Sequence, residues 1–188
     1  MSFAFTCLVM LVGTASAQAQ IKMVALGHSI FAAQSGPSPT GYPEQLQAAL
    51  KSKGYDVSMT NAGVWGDATS GVLRRLDKAV PDGTDIVLLA IGSNDMRQGA
   101  SMASVQADID AIVARLRAKR AEVIVFFGNE PVTSVQRLPD RTVIPMLWRK
   151  LPGDMQALDH PTSAGNAKMV EWTLPVVEEV IVKVRQRR

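Results

Sequence analysis

The sequence predicts a three-layer α/β/α sandwich of the flavodoxin type, built around a mostly parallel five-stranded sheet. Its strand-like runs, such as DIVLLAIG and EVIVFFG, are apolar at successive positions, which is typical of strands buried on both faces. These runs alternate with segments of helical periodicity, which favours parallel strands joined by helices. Polar loops containing glycine follow the strands, where such sheets place their functional sites.

Five segments are predicted as strands. They cover residues 21–26, 56–63, 85–92, 122–128 and 142–147. The fifth is the weakest prediction, because Pro145 cannot donate a hydrogen bond to a neighbouring strand. The carboxyl ends of parallel strands meet at one edge of a sheet, so the loops that follow them are expected to converge there.

Helices are predicted between the strands and after the last one. The first helix is predicted to begin at Pro43 and to end before Gly54, and the second to run from Thr69 to Val80. Ser101 or Ser104 is predicted to cap a longer third helix, and Thr162 to cap the final one. The final helix carries Val177, Val180, Ile181 and Val184 as one apolar stripe. This spacing predicts that the helix packs on the sheet.

The N-terminal segment differs from the rest of the chain. It carries no charge through Gln20, has an apolar centre and contains an A-x-A pattern ending at Ala17. We therefore predict a signal peptide over residues 1–17 and a single mature domain over 18–188, because the apolar stretch is short for a membrane span. Removal of Cys7 with this peptide would leave a chain without disulfides or thiolate metal sites. A periplasmic or secreted protein without stable membrane insertion is expected.

The chain has 188 residues, of which 47% are hydrophobic, and a formal charge of +3, which fits one globular domain. The positive surplus is concentrated at the end of the last predicted helix, where it complements the helix dipole. Since no aromatic residues are interleaved with it, a nucleic-acid partner is not expected. No strand is followed by a Walker or GxGxxG loop, so no nucleotide cofactor is expected either.

Two residue types suggest acyl transfer, which needs a nucleophile and a base. Ser29 follows the first strand in the sequence GHSI and is the candidate nucleophile. Only His28 and His160 can serve as a neutral-pH base. Adjacent side chains tend to diverge, so we predict that His160 is the base and that His28 is structural.

An acyl-transfer site also needs donors for the negative charge that develops on the carbonyl oxygen. Three candidates lie after strands: the backbone N–H of Ser29, the backbone N–H of Gly66, and the side-chain amide of Asn94. Together with Ser29 and His160 they would complete a site for acyl transfer if the loops meet.

The motifs GHSI, NAGVWGD, GSND and DHPTSAGNAKM, in this order, resemble the four blocks of the GDSL, or SGNH, hydrolase family. Within the family the chain is most similar to the bacterial exported arylesterases and thioesterase/lysophospholipases. The resemblance implies that Ser29 is the nucleophile, Gly66 and Asn94 are oxyanion donors, and His160 is the base. It also implies hydrolysis of esters or thioesters through an acyl-enzyme, without a cofactor or metal.

Two positions depart from the family pattern. His28 stands where the family has aspartate, which puts the geometry of that loop in question. Ala157 stands where the family places its triad acid, three residues before the histidine. Asp159 is the first candidate to replace that acid, and Asp154 is the alternative. A Ser–His dyad without an acid is the third possibility.

The predicted function is hydrolysis of small or medium carboxylic esters, thioesters or lysophospholipids. One alternative is an O-acetyl esterase of polysaccharides, because segment 129–141 looks too short for the helix that the family usually carries there and would leave an open cleft. The other is a binding protein that kept the fold with an impaired site, because of the two departures. The sequence leaves the oligomeric state open.

Overall fold

The computed structural model of the chain describes residues 19–32, 41–127, 142–145, 155–156 and 160–188. The predicted signal peptide, segment 129–141, Ala157 and the candidate acids Asp154 and Asp159 lie outside these residues. The predicted fold class is confirmed: a parallel sheet carries helices on both faces.

The central sheet has five parallel strands in the order β2-β1-β3-β4-β5. The strands are β1 (Ile21–Gly27), β2 (Val57–Gly63), β3 (Ile86–Ile91), β4 (Glu122–Phe127) and β5 (Thr142–Pro145). A short antiparallel pair, β6 (Met155–Gln156) and β7 (His160–Pro161), lies outside the sheet and was not predicted. The fifth strand forms despite Pro145 because the proline is its last residue.

The helices are α1 (Tyr42–Ser52), α2 (Thr69–Ala79), α3 (Ser93–Arg97), α4 (Met102–Ala118) and α5 (Ser163–Gln186). Of the two predicted caps for α4, Ser101 is the N-cap, since its hydroxyl accepts a hydrogen bond from the Ser104 N–H at 3.1 Å. Thr162 caps α5 through the Gly165 N–H at 3.1 Å. Helix α3 was not predicted, because five residues are too few to show periodicity.

Alternate residues of the strands supply two separate cores. Ile86, Leu88 and Ala90 of β3 face α1 and α5, whereas Val87 and Leu89 face α2 and α4. This alternation explains why the central strands are apolar throughout: each face of the sheet is covered. The predicted stripe of α5 is buried, and a hydrogen bond of 2.7 Å between the Tyr42 and Thr173 hydroxyls joins α1 to α5.

The loops after β1 and β2 are in close contact at the carboxyl edge of the sheet. A Cβ atom on Gly63 would lie 2.3 Å from the backbone nitrogen of Ala32, so only glycine fits where these two loops meet. In the described part of the chain, no helix is both long enough and apolar enough to span a membrane.

Candidate active site

Ser29 and His160 meet at the carboxyl edge of the sheet. His160 Nε2 lies 2.6 Å from Ser29 Oγ although 131 residues separate the two in sequence. Each residue is only 6% exposed. A distance of 2.6 Å is that of a strong hydrogen bond, and it allows direct transfer of the hydroxyl proton to the imidazole.

The turn after β1 holds Ser29 at this position. Strand β1 ends at Gly27, and the His28 N–H donates to the Ala90 carbonyl of β3 at 3.2 Å. The His28 carbonyl then accepts from the Phe31 N–H at 3.0 Å, which closes a tight turn around Ser29. The hydroxyl is thereby fixed at the end of a buried strand rather than on a mobile loop.

His28 is directed away from the serine hydroxyl. Its Nε2 lies 3.0 Å from the Ser93 hydroxyl, and its Nδ1 accepts from the Ile30 N–H at 3.4 Å. Since Nδ1 is an acceptor, Nε2 carries the hydrogen and donates to Ser93. Both ring nitrogens are thus occupied by contacts that support the loop, as expected for a structural histidine.

Burial lowers the pKa of His28 from 6.5 to about 4. This lowered pKa also includes electrostatic repulsion from His160 and Arg97, which the carboxylate of Asp95 opposes. His28 is therefore neutral at physiological pH, as the hydrogen bond that its Nδ1 accepts from the Ile30 N–H requires.

This shift predicts an acid-sensitive stability. Between pH 6.5 and about 4 the unfolded chain takes up a proton at His28 that the folded protein does not, so stability falls as the pH drops through this window. We expect the free energy of unfolding to be about 2 kcal/mol lower at pH 5 than at pH 7 because of this residue. Urea denaturation of the wild type and of His28→Gln at both pH values measures it. An equal loss in the two proteins would contradict the prediction.

Gly66 and Asn94 lie on the loops that follow β2 and β3. Gly66 is exposed, and its φ of +72° is a backbone conformation that favours glycine. No described residue accepts a hydrogen bond from the backbone N–H of Ser29 or of Gly66. The buried amide of Asn94 gives one hydrogen to the Asp67 carbonyl at 2.8 Å, and its oxygen accepts from Arg97 at 2.5 Å. Because Arg97 can only donate, the Asn94 atom that it contacts is the amide oxygen, and the other end of the amide is the NH₂ donor.

Asp95 connects the loops after β2 and β3. Its buried carboxylate accepts from the Thr69 N–H at 3.0 Å and from the Thr69 hydroxyl at 2.8 Å. Thr69 is the first residue of α2, so the carboxylate satisfies a backbone N–H that the helix itself leaves unpaired. The aspartate next to the candidate oxyanion donor therefore holds the neighbouring loop in place.

Arg75 of α2 joins the ends of β1 and β2. Its guanidinium donates to the Gly27 carbonyl at 2.9 Å, to the Ala62 carbonyl at 2.8 Å and to the Asp67 carboxylate at 2.8 Å. Sequence reasoning missed this residue. The only signal was a cation one turn after the buried Val72 on α2, which looks like any charge at the edge of an amphipathic helix.

We expect Arg75→Met to lower the free energy of unfolding by about 2–3 kcal/mol, because it leaves a carboxylate and two carbonyls without their donor. Arg74→Met is the matched control, since Arg74 is exposed and precedes it on the same helix. The control should change stability by less than about 0.5 kcal/mol. Chemical denaturation monitored by circular dichroism compares the two; equal effects would refute the role of Arg75.

Trp65 covers the imidazole of His160. The two ring centroids are 4.7 Å apart, with 31° between the planes. Trp65 is 53% exposed, and Val64 before it and Met96 of α3 are exposed large apolar residues as well. The buried polar pair thus has an exposed aromatic side chain against it.

The sequence profile of the GDSL-like lipase/acylhydrolase family matches residues 25–173. The chain belongs to this family. Membership confirms the predicted family and establishes the chain as a carboxylic ester hydrolase of the SGNH type.

Relatives of this GDSL-like hydrolase include esterase TesA of Pseudomonas aeruginosa, which is 25% identical over 93% of the chain and 96% of the relative. An arylesterase of Vibrio mimicus is 28% identical over 68% of the chain and 64% of the relative. The crystal structure of a TesA superposes with a TM-score of 0.75 at 24% identity, covering 85% of this chain and 99% of the other. AlinE4, an esterase of the SGNH-hydrolase family, gives 0.66 at 24% identity over 87% and 98%. These structural likenesses concern the fold.

The second ring nitrogen of His160, Nδ1, is the atom with which a triad acid would form a hydrogen bond. When Nε2 accepts the serine proton, Nδ1 carries a hydrogen that needs an acceptor. Nδ1 is buried and has no hydrogen-bond partner among the residues the structure describes. Buried polar atoms are nearly always paired. The candidate acids Asp159 and Asp154 lie outside the described residues.

The described residues contain no group of three His, Cys, Asp or Glu side chains that could hold a metal ion. The structure brings the Ser29 hydroxyl and the His160 imidazole into contact, and the candidate donors Gly66 and Asn94 lie on the loops after the neighbouring strands. This set suits acyl transfer, in which the protein itself supplies nucleophile, base and charge stabilisation.

Proposed function

We propose that the protein hydrolyses carboxylic esters through an acyl-enzyme formed on Ser29. The observation that carries this proposal is the contact of 2.6 Å between His160 Nε2 and Ser29 Oγ in a largely buried setting. A serine hydroxyl is a weak nucleophile until a neighbouring base takes its proton. A protein that kept only the fold has no need of this contact.

In the proposed acylation step, Ser29 Oγ attacks the ester carbonyl carbon while His160 Nε2 accepts the hydroxyl proton. The carbonyl oxygen becomes negative and is stabilised by the N–H groups of Ser29 and Gly66 and by the amide of Asn94. Collapse of this intermediate breaks the bond to the alcohol oxygen, which leaves with the proton from His160. Water then attacks the acyl-enzyme by the same route in reverse, releasing the acid and restoring the Ser29 hydroxyl.

The substrate we propose is an ester with a small or medium acyl group and an apolar or aromatic portion near the scissile bond. Support comes from the exposed Trp65, whose ring lies against the imidazole of His160, and from the exposed apolar Val64 that precedes it in the sequence. An exposed indole offers a flat face for stacking. The names of the relatives, an esterase and an arylesterase, agree with this class. Thioesters and lysophospholipids share the carbonyl chemistry and remain within the proposal.

We also propose that Asp159 accepts the Nδ1 hydrogen of His160. The buried, unpaired Nδ1 is the reason to expect an acceptor. Asp159→Asn and Asp154→Asn, compared by kcat at neutral pH, identify it. A large loss only in Asp159→Asn supports the proposal, whereas a loss only in Asp154→Asn transfers the role. Unchanged kcat in both would indicate a Ser–His dyad.

A fluorophosphonate probe tests the nucleophile directly. We expect one probe per chain, mapped by mass spectrometry to the peptide that contains Ser29, together with loss of p-nitrophenyl acetate hydrolysis. Folded protein that is not labelled would refute the esterase mechanism. Release of acetate from acetylated polysaccharide, without turnover of aryl esters or lysophospholipids, would favour the O-acetyl esterase instead.

We further propose export of the enzyme with removal of residues 1–17. The support is the uncharged apolar start of the sequence and its A-x-A pattern. N-terminal sequencing of protein recovered from the periplasm or medium should begin at Gln18. An intact Met1 on the active protein would contradict cleavage.

A further inference from the structure

A basic pocket lies at the end of the sheet opposite the active site. It has a volume of about 300 Å³ and is located where β4 begins at Glu122. Ser29 follows the carboxyl end of β1, which runs parallel to β4, so the length of a strand separates the two, roughly 20 Å. The pocket is lined by Val113, Arg117, Arg120, Ala121, Glu122, Val123, Lys183 and Arg187.

Four cations and one carboxylate line this pocket, which leaves a local excess of three positive charges. The formal charge of the whole chain is +3, so this small region carries as much excess as the entire molecule. The Glu122 carboxylate forms salt bridges with Lys183 Nζ at 3.1 Å and with Arg187 Nη1 at 2.6 Å. The carboxylate therefore holds Lys183 of α5 and Arg187, which follows that helix, at the pocket while neutralising only one charge.

Arg120 stands in a conformation that normally selects glycine. Its φ is +62°, and it is the only residue other than glycine with a positive φ in the described part of the chain. It follows the C-cap of α4 and makes the hydrogen bonds of a Schellman turn, from the Arg120 N–H to Arg117 and from the Ala121 N–H to Leu116.

Two other helices of the same chain end in the same way with glycine. Gly54 after α1 and Gly99 after α3 have φ values of +85° and +75° and the same pattern of backbone hydrogen bonds. Of these three helix ends, only that of α4 has a side chain at this position. The helix dipole does not require it, because Arg115 and Arg117 already supply positive charge in the last turn.

We propose that this basic pocket binds the phosphate group of an organic phosphate ester. Guanidinium groups pair with phosphate oxygens through two parallel hydrogen bonds, which suits a cluster of arginines. The pocket is larger than a phosphate ion, and its wall includes the apolar Val113, Ala121 and Val123, which would contact the organic part. The strained backbone at Arg120 is kept because the side chain there completes the phosphate contacts.

The test uses the positive φ of Arg120, because glycine at this position should relieve the backbone strain and remove the guanidinium at the same time. Glycerol 1-phosphate binding is measured by calorimetry at low ionic strength for the wild type, Arg120→Gly, Arg120→Gln and the control Lys51→Gln, an exposed cation on α1. We expect Arg120→Gly to bind at least 10-fold more weakly while its unliganded Tm rises by about 2–4 °C. Arg120→Gln should also lose affinity, whereas Lys51→Gln should not. Hydrolysis of p-nitrophenyl acetate should stay unchanged in all four proteins.

Vesicles distinguish the source of the phosphate. Sedimentation with phosphatidylglycerol vesicles, but not with phosphatidylcholine vesicles, would identify a lipid headgroup as the ligand. Binding of glycerol 1-phosphate without sedimentation would identify a soluble ester. No binding by the wild type, or equal affinity in wild type and Arg120→Gly, would overturn the proposal.

Discussion

Replacement of Ser29 by alanine is expected to lower kcat for p-nitrophenyl acetate by about 10⁴-fold or more, without loss of folding. The reason is that no acyl-enzyme can form once the hydroxyl is absent. The oxyanion donors stay in place and support only weak hydrolysis by water. Steady-state kinetics together with the thermal unfolding curve of the variant measure both parts of the prediction.

Replacing His160 together with Ser29 tests whether the two residues act in the same step. His160→Ala should cause a loss of similar size, and the double variant should be no slower than either single one, because the two residues act as a unit. His28→Gln is the matched control, since the chain has only two histidines and His28 is adjacent to the nucleophile. It should retain kcat within about 10-fold. Multiplicative losses, or a larger loss from replacing His28 than from replacing His160, would contradict catalysis by Ser29 and His160.

Asn94→Ala should lower kcat by about 10²–10³-fold with little change in KM, since removal of one oxyanion donor has this size of effect. An amide that stabilises only the transition state contributes little to binding the ground state. Kinetics with a fixed ester, reported as kcat and KM separately, test the split. A rise in KM at constant kcat would show that Asn94 binds substrate instead.

The same substitution also removes the hydrogen bond from Asn94 to the Asp67 carbonyl, so a structural control is needed. Thr69→Val serves this purpose. It keeps the shape of the side chain but loses the hydroxyl bond of 2.8 Å to Asp95 in the same region. We expect it to reduce stability by about 1 kcal/mol and to leave kcat within a few-fold. If it slowed the enzyme as much as Asn94→Ala, loop position rather than charge stabilisation would explain both.

The hydrophobic periodicity of each segment and the order of strands and helices along the chain made most of the fold predictable. Strands such as β3 are apolar on both faces, and helices such as α4 have one buried stripe, so each local pattern admits one layer arrangement. The meeting of Ser29 with His160 followed from a topological rule, since parallel strands bring their ends to one edge. Helix α3 and the β6–β7 pair were missed because such short elements are stabilised by tertiary contacts rather than by their own periodicity.

The site was less predictable at the level of supporting contacts. Arg75 and Asp95 are surface-type residues that become half-buried or buried because carbonyl and N–H groups of other loops surround them. Such partners are set by the tertiary packing and leave no spacing pattern in the sequence. His28 is the opposite case. Its adjacency to Ser29 indicated that its ring would point away from the Ser29 hydroxyl, as it does, but not that the ring would form a hydrogen bond with Ser93.

The separation of 131 residues between the hydroxyl and the imidazole has a consequence for biosynthesis. Ser29 is synthesised before His160 and α5, which follow it by 131 residues or more. If Ser29 is the nucleophile that we propose, a chain without His160 carries the hydroxyl but not its base, and we expect hydrolysis only after α5 has docked beside α1. A chain truncated before His160 is therefore expected not to cleave esters.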